Sequence, residues 1–109
     1  MSFDNHYTPE SISPEELAHT QGPLLIEFGT NWCGFCQSAQ RHIEAAMERH
    51  SGVEHVKVED GKGRRLGRTL GVKLWPTLIF FRDGHEITRL IRPDNREDIE
   101  TALAHIQDR

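Results

Sequence analysis

Cys33 and Cys36 are the only cysteines in the 109-residue chain, and two residues separate them in the run Trp32-Cys33-Gly34-Phe35-Cys36. An apolar stretch precedes this run and a helical pattern follows it. Residues at i and i+3 share one face of a helical turn, so the two sulfurs can close a small disulfide ring. A thiolate at the start of a helix also meets the positive end of the helix dipole and backbone N–H groups that lack partners. Those groups favour the thiolate, which is the form that attacks disulfides, and the pair reads as redox-active rather than structural. Zinc binding is the other chemistry such a pair serves. A four-ligand site needs two more ligands, and neither a second Cys-x-x-Cys nor a His pair at ligand spacing supplies them, so no metal is expected.

The elements that must position this pair are legible on either side of it. Residues 1–12 are polar and carry little periodic signal. Ser13 then caps a short helix, with Pro14 at its first position and Glu16 completing a capping box, and Gly22-Pro23 ends it. Leu24-Leu25-Ile26-Glu27-Phe28 has the pattern of a strand covered on both faces, broken by one residue, Glu27. After the cysteines, Ala39, Ile43, Ala46 and Met47 recur at helical spacing until Ser51-Gly52. Val53-Glu54-His55-Val56-Lys57-Val58 alternates as a half-buried strand, and a short polar helix is expected near Arg64–Leu70, closed by Gly71. Thr77-Leu78-Ile79-Phe80-Phe81 is a second buried-strand run. Asp83-Gly84 signals a hairpin turn, with Glu86–Ile91 as the returning strand. Asp94 or Asn95 caps a last helix whose apolar stripe is Ile99, Leu103 and Ile106. The order β-α-β-α-β-β-α predicts an α/β fold with a mixed sheet and helices on both faces.

With 36% hydrophobic and 28% charged residues, the composition excludes a disordered chain and predicts one soluble domain spanning 1–109. A net charge of −4 offers no field suited to nucleic acid. No run approaches a membrane span, and Met1–Glu10 has neither the basic start nor the apolar stretch of a targeting signal. The chain is therefore expected to be cytoplasmic and monomeric. A cysteine pair in that compartment serves redox chemistry more often than it serves as a staple.

From about Leu24 onward the chain resembles thioredoxin. Trp32-Cys33-Gly34-Phe35-Cys36 after a buried strand, together with Glu27, Lys57, Trp75-Pro76-Thr77 and Asp83-Gly84, carries the resemblance. It implies the thioredoxin fold, a central mixed β-sheet flanked by helices on both faces. It further implies that Pro76 is a cis-proline against the dithiol, Cys33 the exposed nucleophile and Cys36 the buried resolving thiol. The implied activity is reduction of protein disulfides as part of cell redox homeostasis. No cofactor is implied beyond the redox-active Cys33–Cys36 disulfide. Disulfide-containing proteins are the implied partners, with a dithiol or flavoprotein reductase as electron donor. Three positions depart from the family pattern: Glu27 stands where an aspartate is usual, Phe35 where proline is common, and Leu90-Ile91-Arg92-Pro93 where the family has a Gly-rich segment.

These residues carry definite expectations. Glu27, buried and with a raised affinity for protons, accepts the proton of Cys36. Lys57 either pairs with Glu27 or lies in solvent on its alternating strand. Trp32, Gly34, Phe35, Trp75, Pro76 and Arg92 form the substrate-binding surface, with the Trp75 and Pro76 backbone giving an extended substrate main-chain hydrogen bonds. Arg92 adds bulk and positive charge, which favours acidic partners. Phe35, unlike proline, supplies a backbone N–H to the Cys33 sulfur, which is expected to raise the redox potential from roughly −270 mV to about −230 to −260 mV. His42, His50 and His105 read as solvated, and Lys62, Arg64, Arg65 and Arg68 as an exposed basic face. Oxidase or isomerase activity, and a binding or chaperone module with an incidental dithiol, are the rival readings.

Overall fold

The computed structural model describes residues 6–8 and 12–107. The expectation of no targeting signal falls mostly outside the described residues. The two apolar runs form the middle of the sheet, because both of their faces are covered. β1 (Pro23–Gly29) pairs antiparallel with β3 (Thr77–Arg82), and a parallel β2 (Glu54–Glu59) and an antiparallel β4 (His85–Ile91) flank them, in the order β2-β1-β3-β4.

Side chains alternate along β1 and divide the core in two. Leu24, Ile26 and Phe28 pack with Leu17, Val58, Leu66, Ile79 and Phe81 on the face covered by α1 (Pro14–Leu17) and α3 (Arg65–Thr69). Leu25, Leu78 and Phe80 face α2 (Gly34–Met47) and α4 (Arg96–Gln107) through Ala39, Ile43, Ile99, Leu103 and Ile106. Each fully buried Leu, Ile or Phe contributes about 1.5–3 kcal/mol, so β1 is held firmly and Glu27 with it.

Local signals account for the ends of the elements. Ser13 Oγ accepts from Glu16 N–H while Glu16 reaches back to Ser13 N–H, the capping box expected there. Asn95, rather than Asp94, caps α4: its Oδ1 accepts from Asp98 N–H at 2.8 Å. Asp83 and Gly84 have φ of 51° and 81°, the pair of positive values that a two-residue hairpin turn needs. Asp83 also fastens this turn to the start of β1, through Gly22 N–H to its Oδ1 at 2.8 Å.

Two expectations are corrected here. His50 is not solvated; it is half-buried and its Nδ1 bonds Gln107 Oε1, joining the turn after α2 to the end of α4. Simple alternation on β2 fails at Lys57, which is buried because α2 covers its face of the strand. The basic cluster is an ordinary exposed face in part: Arg64 pairs with Glu59 at 2.6 Å and Arg65 with Glu15 at 2.9 Å.

Candidate active site

β1 ends at Gly29, and a short turn carries the chain into α2. Cys33 is the N-cap of that helix: it is extended, with φ −83° and ψ 121°, and its Sγ accepts from Cys36 N–H at 3.2 Å. The sulfur thus does what a serine oxygen does at a helix start, satisfying a backbone donor that otherwise lacks a partner. The donor that reaches Cys33 is the N–H of Cys36, not that of Phe35 as expected. Proline at position 35 would leave this bond in place, so the expected rise in potential loses its basis.

The two thiols are both free cysteines, and they differ in exposure. Cys33 retains 7% of its surface and Cys36 1%, so Cys33 is the more accessible although less open than the resemblance implies. Burial, followed by the adjoining Cys33 sulfur, pushes the Cys36 thiol up to about 12, against a smaller opposing pull from Thr30 N–H and the Tyr7 hydroxyl. Almost no Cys36 thiolate therefore forms unaided at neutral pH.

Behind the thiols lies a polar cluster inside an otherwise apolar layer. Glu27 is fully buried, and the parallel register sets it opposite Lys57. Its Oε1 lies 2.9 Å from His55 Nε2. Its Oε2 accepts from Gln40 Nε2 at 2.8 Å and from the Tyr7 hydroxyl, and lies 3.6 Å from Lys57 Nζ. Lys57 Nζ also bonds Gln40 Oε1 and stands 4.6 Å over the Tyr7 ring. Lys57 is therefore the partner of Glu27 and not a solvated lysine. Burial raises the Glu27 carboxyl, but the His55 hydrogen bond, the Lys57 ammonium and Gln40 outweigh it and hold Glu27 below its ordinary range. The expected raised proton affinity is thus corrected. Glu27 therefore rests as an ionised acceptor.

Tyr7, His55 and Gln40 are the members of this cluster that periodicity does not reveal. Tyr7 lies in an aperiodic segment, His55 on a strand that reads as half-solvated, and Gln40 at a polar position of an amphipathic helix. The one available signal is that Glu27, buried, must find polar partners.

In front of the thiols the surface is aromatic. Trp32 is 73% exposed and Phe35 59% exposed. Trp75 is half-buried, meets the Trp32 ring edge-on at 5.7 Å, and is anchored by Nε1 to Asp60 Oδ2 at 2.8 Å. The Trp75–Pro76 bond is cis, with Pro76 buried. A Cβ on Gly34 would meet no atom within 4 Å, so the surface beside Cys33 is open. Arg92 changes this surface in a way sequence did not foresee. It holds φ 52°, its guanidinium lies 3.9 Å over the Phe35 ring, and its Nε bonds the Trp75 carbonyl at 2.8 Å. Its own N–H bonds the Pro76 carbonyl at 2.8 Å. In the backbone expected to bond a substrate strand, both carbonyls thus already accept one hydrogen bond from Arg92.

Such a site on such a sheet defines a class, the proteins that exchange thiols and disulfides through a helix-start cysteine pair. The thioredoxin family profile matches residues 7–105, and the chain belongs to that family. It is similar to thioredoxin 2 of Pseudomonas aeruginosa PAO1, solved in its reduced form, with 46% identity, 94% of each chain covered and a TM-score of 0.84. It is 30% identical to the thioredoxin of Chlamydia trachomatis over 90 residues, covering 81% of this chain and 88% of that one. A 71-residue stretch, 64% of this chain, is 41% identical to 14% of protein disulfide-isomerase A3 of Gallus gallus. The chain is a thiol-disulfide oxidoreductase. Among the described residues, no group of three or more His, Cys, Asp or Glu gathers in a geometry that holds a metal, and no helix is long and apolar enough to cross a membrane.

Proposed function

We propose that the chain reduces disulfide bonds of other proteins, with Cys33 as nucleophile and Cys36 as resolving thiol, and so helps keep cellular thiols reduced in the cytoplasm. The observation that carries this reading is the asymmetry of the pair: Cys33 caps α2 beneath an open aromatic surface, and Cys36 is enclosed behind it. Cys33 thiolate attacks one sulfur of the substrate disulfide, the substrate S–S bond breaks, and the departing thiolate takes a proton. Cys36 then attacks Cys33 Sγ, releasing the second substrate thiol and leaving the Cys33–Cys36 disulfide. Two electrons pass to the substrate, and a dithiol or flavoprotein reductase returns them. Trp32, Phe35 and Trp75 supply apolar contact around the reacting sulfur. Catalysed reduction of a protein disulfide such as insulin's tests the reading, and no rate above that of the free reductant would refute it.

The likeness to protein disulfide-isomerase A3 favours a second reading, in which the same chemistry runs as oxidation or isomerisation. A binding module with an incidental dithiol is the third, and it requires full function in Cys33→Ser.

Arg92 gives this reading a prediction of its own. A substrate strand that bonds the Trp75 carbonyl competes with the guanidinium for it, and a side chain at φ 52° carries strain that glycine does not. Arg92→Gly is expected to raise kcat/KM for neutral protein disulfides several-fold, to weaken discrimination in favour of acidic ones, and to raise Tm slightly. Steady-state kinetics with an acidic and a neutral substrate check this. Unchanged kcat/KM for both would show that the Arg92 contacts do not govern docking.

A further inference from the structure

Tyr7 is the only tyrosine of the chain, and it stands where the dithiol meets the buried cluster. It is 4% exposed and clamped from both sides. Its N–H bonds Asn31 Oδ1 at 2.8 Å and its carbonyl accepts from Asn31 Nδ2 at 3.1 Å, while Thr8 next to it bridges to β2. The hydroxyl donates to Glu27 Oε2 and accepts from Gln40 Nε2 at 3.2 Å. Tyr7 also packs against Cys36. A Cβ on Gly29 would stand 2.6 Å from Cys36 Sγ and 3.0 Å from Tyr7 Oη, so both atoms border one small space that only glycine leaves open. Thiol, phenol and carboxylate are thereby set in series.

We infer that Tyr7 carries the proton of Cys36 to Glu27 during the resolving step. In the mixed disulfide, Cys36 S–H gives its proton to Tyr7 Oη as Tyr7 O–H gives its own to Glu27 Oε2. The phenol ends neutral, Glu27 ends protonated, and the electron pair left on Cys36 sulfur forms the bond to Cys33 Sγ as the substrate thiolate leaves. The released thiolate takes a proton from solvent, and Glu27 later returns its own to solvent. Burial and the Glu27 charge oppose a free phenolate at Tyr7, so the two transfers are concerted. The ionisable groups facing this path are Glu27 from β1, His55 and Lys57 from β2, and the two cysteines at the start of α2. Lys57 and His55 keep the carboxylate ionised between turnovers, so it is empty when the proton arrives, and they favour its later release.

The inference rests on the reductase reading, and an aromatic disulfide whose halves absorb on release separates the two. Attack by Cys33 frees the first half, and resolution by Cys36 frees the second. Tyr7→Phe keeps the ring and removes the hydroxyl. We expect the first release to be unchanged and the second to slow about tenfold or more at neutral pH, the gap closing as pH rises and hydroxide replaces the relay. Glu27→Gln should slow the same phase, and the double variant should be no slower than the slower single one. A second release in Tyr7→Phe at the wild-type rate and with the wild-type pH profile overturns the relay, as does additive slowing in the double variant. Absence of both releases in the wild type instead overturns the reductase reading. If Tyr7→Phe does not fold, the pH profile of Glu27→Gln decides alone, and an unchanged profile overturns the relay.

Discussion

Cys33→Ser should abolish disulfide reduction, and Cys36→Ser should leave the protein covalently joined to its substrates. The two effects differ because the thiols do different work. Cys33 has the greater access and sits at the helix start, where its sulfur already accepts a backbone N–H at 3.2 Å. Serine there makes the same hydrogen bond, so the variant keeps its cap and its fold while losing the nucleophile. Cys36 is enclosed, and no substrate disulfide reaches it. Its removal lets the first attack proceed and stops the second. Adducts that dissolve in dithiothreitol and map to Cys33 by mass spectrometry are the expected result. Adducts on Cys36 in the Cys33→Ser variant would reverse the assignment.

Removing Glu27 should cost about 3–5 kcal/mol of stability, because Lys57 is then left buried without its carboxylate. For a chain of this size, that is a fall in Tm of more than about 10 °C. The expectation from sequence alone is the opposite: a lone carboxylate in an apolar strand is expensive to bury, and Glu27→Leu then stabilises the protein. The structure reverses the sign, since Glu27 has hydrogen-bonding or charged partners in Tyr7, Gln40, His55 and Lys57. Replacing both members, Glu27→Leu with Lys57→Met, should recover much of the loss, because neither charge then remains buried. Acid supplies a second check. The folded value of Glu27 lies below its unfolded value near 4.5, so its stabilisation is fully present above that pH and lost as pH falls through the folded value. The gap between wild type and Glu27→Leu should therefore narrow in acid. A Glu27→Leu variant at least as stable as wild type at neutral pH would dismiss the buried pair.

The contrast over Glu27 shows what the amino-acid order conveys and what it does not. The sheet was legible because its central strands are unbroken apolar runs and its turns and caps are spelled by Gly22-Pro23, Ser13-Pro14-Glu15-Glu16 and Asp83-Gly84. The dithiol was legible because both cysteines belong to one helical turn. Glu27 was conspicuous as the one charge in an apolar strand, but its charge state depends on groups 13, 28 and 20 positions away, Gln40, His55 and Tyr7. Such polar contacts are made by tertiary packing and leave no period in the sequence. Arg92 is a similar case. Its place beside the dithiol follows from resemblance, but its bond to the Trp75 carbonyl depends on a left-handed backbone at position 92.

The reduction potential of the Cys33–Cys36 couple, measured by equilibration in glutathione buffers, tests the central claim most directly, because the same two thiols reduce or oxidise according to that one quantity. The sulfur of Cys33 takes its hydrogen bond from Cys36 N–H, a donor that does not depend on residue 35, so the couple should stay close to the roughly −270 mV of thioredoxin and no higher than about −230 mV. A potential near −180 mV, the region of protein disulfide isomerase, would contradict the reductase account and make the chain a donor of disulfides.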